Sequence, residues 1–246
     1  MIPLKGDPRT TTYRRLLIPS TMHMTEKRNI HNMVTLVLLI TPFYLNDFSN
    51  IYVKSWQWWL LIDYAFVKLY PLLLVAWLVK YGKTKLHEIG LKPQPVLAFF
   101  IVFIATALIG TILDQNAYKL ITKIPGYRAL GAMPLIRNPF WNWVDLTFGL
   151  LMVAIVEELV FRGYMFAFIR EHTSNKPIIV IISSLAFGLI HWSGGLHVVF
   201  VTSLIGAVFM IVYIKMRSLP SIMLAHFVVN FIDFSGVIPK SIFKFV

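Results

Sequence analysis

The chain has 246 residues, 57% of them hydrophobic, no cysteine and a formal charge of +12. Its mean hydropathy is +0.70. A soluble domain is nearer ~45–50% apolar, and without cysteine there is no disulfide, thiolate metal ligand or cysteine nucleophile. The basic residues fall mostly between apolar runs, where lysine and arginine set membrane orientation. They form no basic, aromatic-interleaved soluble surface, so nucleic acid is not an expected partner.

Apolar runs near twenty residues long predict an all-α protein, a polytopic transmembrane helix bundle of about seven spans (range six to eight). In hydrocarbon a helix satisfies its own backbone polar groups, whereas an open sheet does not. Residues 1–31 read as a basic cytoplasmic arm, with Lys5, Arg9, Arg14, Arg15, Lys27 and Arg28 against Asp7 and Glu26. About thirty polar and basic residues precede the first apolar run and no small-residue cleavage site follows it, so a cleavable signal peptide is not expected.

The first span is predicted at 32–48, with a kink at Pro42. Trp56, Trp58 and Trp59 resemble an interfacial aromatic belt, and the second span follows at 57–79. It carries Asp63 and Lys68, whose five-residue spacing lets them meet only imperfectly on an α-helix, in a structural or snorkelling role. A basic loop at 80–94 (Lys80, Lys83, Lys85, Lys92) leads to a third span at 96–113. The connection 114–141 reads as non-cytoplasmic, although Lys119, Lys123, Arg128 and Arg137 argue against that side. Further spans are expected at 143–169, 177–192, 197–214 and 220–234. Residues 32–142 then form an N-terminal membrane region, 143–235 a second membrane core that holds the polar residues considered next, and 236–246 a short tail. The alternation of basic loops places the N-terminus inside, in a multi-pass membrane protein.

The fourth span holds Glu157, Glu158 and Arg162 in an apolar run. A charge at mid-membrane costs roughly 2.5–3.5 kcal/mol even on lenient insertion scales, so three within six residues need a reason. Glu158 and Arg162 are four apart and pair along one helix face. Glu157 lies about 100° around the helix with no partner in its own span, which suits a general base or acid. His191 is expected near the end of the fifth span, and His226 and Asn230, four apart, on one face of the seventh. Each polar residue alone is compatible with hydrogen bonding between helices. Their conjunction supplies a base, an electrophile and an oxyanion donor to a polar cavity inside the membrane. His197 is a weaker candidate, and His23, His31, His87 and His172 lie in polar segments.

Glu157-Glu158-x-x-x-Arg162, Phe187-x-x-x-His191 and His226-x-x-x-Asn230, in that order, resemble the CPBP family, the CAAX-processing and bacteriocin-processing intramembrane proteases also called the Abi family. The Gly90-Leu91-Lys92 stretch is similar to a common lead-in. The resemblance implies hydrolysis of membrane-associated peptides or lipidated protein tails. Glu157 would be the general base aided by His191, His226 and Asn230 would donate to the oxyanion, and Glu158 and Arg162 would hold charge balance or bind the substrate's end. It also implies a possible zinc or other divalent metal on Glu157, His191 and His226, two histidines and a carboxylate with an open position. The sequence lacks His-Glu-x-x-His, the helical signature of zinc on its own. A non-catalytic bacteriocin self-immunity or membrane signalling protein of the same fold is the alternative, but the motif residues are all present. A proton-coupled transporter is a third reading, and the two halves lack the symmetric broken helices it calls for.

Overall fold

The computed structural model describes residues 20–120 and 128–245, with side chains from residue 31 onward except at 118 and 120. The arm residues Lys5, Asp7, Arg9, Arg14 and Arg15, and Lys123 of the long connection, lie outside the described residues, as do the side chains of His23, Glu26, Lys27 and Arg28. The described chain is all-helical, with seven helices and no strand. They are α1 (Ser20–Tyr52), α2 (Trp56–Lys80), α3 (Val96–Asn116), α4 (139–172), α5 (Lys176–Leu189), α6 (Leu196–Met216) and α7 (Leu219–Ser235). Four stretches are long and apolar enough to cross a bilayer: His31–Tyr52, Trp56–Lys80, Val96–Asn116 and Leu196–Met216. α5 and α7 are shorter apolar helices. Large apolar side chains such as Leu97, Phe100, Ile101, Ile104 and Leu108 of α3 stand exposed. An apolar face of that extent is ordinary against lipid and unusual against water. The protein is a multi-pass helical membrane bundle.

α7 is packed between α3 and α4, while α5 and α6 form an antiparallel hairpin. That hairpin is tight because Gly188 of α5 has no side chain where Val199 and Ser203 of α6 approach; small residues serve this purpose between membrane helices. α1 crosses the turn between α5 and α6 and also touches α2 and α4.

The connections gather at two ends. Leu130 and Gly131 donate backbone hydrogen bonds to the carbonyl of Ser193, and Ala132 donates to that of Asn50, so the 128–132 segment, the α5–α6 turn and the end of α1 meet. At the other end the side chain of Gln94 donates to the carbonyl of Arg217, 2.8 Å. Gly90, with φ +86°, lies against the buried ring of Tyr213, so a side chain there would meet both strain and a clash.

Three differences from the predicted elements have physical causes. α1 begins at Ser20 and runs through Pro42 to Tyr52, longer than the predicted 32–48. α5 ends at Leu189, so His191 is not helical; its N–H closes a four-residue turn on the carbonyl of Gly188, and the chain reverses at Gly195 with φ +92°. Finally, Lys68 does reach Asp63. Residues Asp63–Leu69 are a π-helical turn, and its wider register places residues five apart above one another. The ammonium contacts Asp63 directly and lies 3.6 Å from Asp145, which is in a second π turn, Asp145–Gly149. Asp63 and Lys68 are buried, and removing one member of a buried pair costs about 3–5 kcal/mol. Lys68→Met is therefore expected to lower the unfolding midpoint in detergent sharply, and Asp63→Asn in the same chain to recover much of it.

Candidate functional site

The charged residues of α4 lie where the helix changes register. It is α-helical over Leu150–Glu158 and π-helical over Leu159–Met165, where Arg162 lies. π turns inside helices recur at functional sites because they redirect side chains locally. Glu158 and Arg162 are both 0% exposed, and Arg162 Nη1 donates to Glu158 Oε1 at 3.0 Å, as the four-residue spacing predicts. Arg162 Nη2 donates to the carbonyl of Gly206 on α6, 3.4 Å. The guanidinium lies 4.0 Å from the centre of the Phe187 ring and 5.5 Å from that of Phe209, two cation–π contacts of the kind that gain strength when desolvated. Gly206 makes this possible: a Cβ there would sit 3.0 Å from the Phe187 ring and 3.4 Å from Nη2.

α7 brings His226 to both glutamates. Its Nδ1 is 2.9 Å from Glu158 Oε1, and its Nε2 is 3.7 Å from Glu157 Oε2. The carboxylate only accepts, so Nδ1 carries the proton in that bond, leaving Nε2 turned towards Glu157. Glu158 thus receives two donors on one oxygen and holds both the arginine and the imidazole in place. Glu157 has no ion pair other than this 3.7 Å approach among the described residues. Both Glu157 and His226 are 6% exposed, so their chemistry is screened from bulk water.

Phe187 lies between the two imidazoles, its ring centroid 5.6 Å from that of His191 and 5.9 Å from that of His226. His191 Nδ1 is 3.3 Å from the carbonyl of Phe187, so the proton sits on Nδ1 and Nε2 is the free nitrogen. Asn230, one turn after His226 on α7, is half-buried, and its side chain has no hydrogen-bond partner among the described residues. His197 begins α6, beyond the turn that carries His191. The structure thus draws Glu157, Glu158, Arg162 and His226 into direct contact. It adds His191 through a shared aromatic ring, with Asn230 one helical turn from His226.

Residues 139–232 match the family model described as type II CAAX prenyl endopeptidase, Rce1-like. Over these residues the chain matches the CPBP family through its Rce1-like domain. No curated protein and no solved structure matches the chain. All six site residues lie inside the Rce1-like domain, and the family is one of proteases.

A metal on Glu157, His191 and His226 would need all three side chains to converge on one point. His226 Nε2 and Glu157 Oε2 are a two-donor set, and the bond from His226 to Glu158 is the outer-shell carboxylate contact that metal-bound histidines make. Among the described residues, however, no group of three histidine or carboxylate side chains stands close enough to hold an ion. The placement does not fit the metal, and the chemistry proposed below uses the side chains alone.

Sequence spacing did not indicate Phe187 as a spacer between imidazoles or Gly206 as the space for Arg162, because both depend on how α5 and α6 approach α4.

Proposed function

We propose that the protein is an intramembrane endopeptidase that hydrolyses a peptide bond near the lipidated C-terminal tail of a CAAX-type substrate. The observation that carries this reading is His226 lodged between two glutamates, bonded to Glu158 and facing Glu157 across 3.7 Å. That distance exceeds a direct hydrogen bond and leaves both atoms able to hold one water. Glu157 removes a proton as the water oxygen attacks the scissile carbonyl carbon. The tetrahedral oxyanion is met by the amide N–H of Asn230, an interaction worth roughly 3–4 kcal/mol in other hydrolases, while His191, with its proton on Nδ1, assists Glu157 as a proton acceptor. The proton taken by Glu157 passes to the departing amide nitrogen as the C–N bond breaks, leaving a carboxylate and an amine. Within this scheme His226 orients the base and the water, closer to Glu157 than a purely oxyanion-binding role requires. Glu158 and Arg162 hold His226 and balance charge.

We place the N-terminus on the cytoplasmic side. The end of the bundle bearing the basic loops 80–94, 170–176 and 215–217 would then meet cytoplasmic tails.

Activity is tested with purified protein in detergent and an internally quenched peptide ending in a farnesylated Cys-aliphatic-aliphatic-X sequence, against the same peptide without the lipid. Cleavage of the lipidated peptide alone is expected. The metal question is answered in the same assay: exhaustive chelation, followed by elemental analysis, is expected to leave the rate unchanged. Loss of activity restored by one divalent metal would instead require a rearranged Glu157–His191–His226 site.

A further inference from the structure

We propose that Asp47 of α1, far outside the Rce1-like domain, is a positioning residue for His191. The inference rests on His191 belonging to the hydrolytic site. His191 follows the end of α5 and begins a short turn, so no helix fixes its backbone. The turn is fastened from outside. Asp47 Oδ2 accepts the backbone N–H of Ser193 at 2.6 Å, two residues beyond the histidine. Asn50 Nδ2 donates to Asp47 Oδ1 at 3.0 Å and to Ser193 Oγ at 3.1 Å, and Trp59 of α2 donates to Asn50 Oδ1 at 2.8 Å. Trp192, adjacent to the histidine, donates from its indole to the carbonyl of Tyr44, 3.0 Å. The hydroxyl of Tyr44 in turn donates to the carbonyl of Ala186 on α5, 2.8 Å.

Asp47 is the member of this set whose chemistry is hardest to explain as packing. It is 6% exposed, and its oxygens accept from an amide N–H and an asparagine, with no cation paired to it among the described residues. A buried carboxylate without a counter-charge is costly, while charge-assisted acceptance from a backbone N–H is roughly twice as strong as a neutral bond. Such a bond fixes the Ser193 peptide plane, and through it the backbone from which His191 projects. The ring itself meets Phe187 twice, through the 3.3 Å contact of Nδ1 with the carbonyl and through the ring, 5.6 Å between centroids. The first helix therefore contributes order, not chemistry, to a site built by the later ones.

The test uses full-length protein in lipid nanodiscs with ¹⁵N-labelled histidine, the His191 signals being assigned by their loss in His191→Gln. Wild type is expected to show one Nδ1–H tautomer at His191. Asp47→Ala is expected to spread that signal over two tautomers while leaving His226 unchanged. Its kcat on the farnesylated peptide should fall about 10- to 100-fold, the scale of a small misplacement of a reacting group, with KM unchanged. Asp47→Asn keeps one acceptor oxygen for the Ser193 N–H and should recover the single tautomer and part of the rate. If Asp47→Ala does not fold, Asp47→Ser, too short to reach Ser193, is held to the same readouts. A His191 spectrum and kcat equal to wild type in the alanine or serine variant overturn the proposal. Glu157→Gln separates the two readings: if it stays active, the hydrolytic assignment fails, and the His191 spectrum alone then decides the role of Asp47.

Discussion

Glu157→Gln is expected to reduce cleavage of the farnesylated peptide by about 10³-fold, within the range that general acid–base groups contribute. Glutamine preserves size and a hydrogen-bonding oxygen but does not take the proton from water. Because Glu157 approaches only His226 at 3.7 Å, and anchors no other ion pair among the described residues, the variant should fold with wild-type helix content and melting temperature. The loss should appear in kcat, since no group that grips the substrate has been removed. A matching fall in melting temperature would instead mark Glu157 as a structural residue, and its role as base would pass to another group.

Glu158 and Arg162 should behave in the opposite way. Both are 0% exposed, and Glu158 Oε1 serves Arg162 and His226 together. Arg162→Met leaves a buried carboxylate with only an imidazole for company and should destabilise the protein by about 3–5 kcal/mol, measured by denaturant unfolding in detergent. Adding Glu158→Leu removes the orphaned charge, and apolar replacement of a buried pair is often neutral or stabilising. Stability should therefore return in the double variant. Cleavage should not, because His226 Nδ1 has lost the acceptor that sets its ring. Wild-type rates in the double variant would show that Glu158 contributes charge balance alone.

These two outcomes correspond to what could and could not be read from the sequence. The apolar runs located all seven helices because lipid-facing residues must be apolar along a whole span. The Glu158–Arg162 pair followed from local helical geometry, and the structure shows it at 3.0 Å. Contacts that depend on register or on distant helices were not legible. Lys68 reaches Asp63 only because residues 63–69 adopt a π turn, which no apolar periodicity announces. The apolar run 177–192 predicts a helix through His191, whereas the helix ends at Leu189. Its turn is set by Asp47, 146 residues away from Ser193 in sequence. Glu157 approaches His226, one of the two histidines expected near it, at a distance set by how α7 packs on α4.

The most direct test of a water-hydrolysing Glu157–His226 site is product analysis of one purified protein with the farnesylated peptide in ¹⁸O-labelled water. The expected result is scission at one peptide bond with one ¹⁸O in the new carboxylate, lost in both Glu157→Gln and His226→Ala. Intact peptide after prolonged incubation with the folded wild-type protein, or scission at the wild-type rate by either variant, would contradict it.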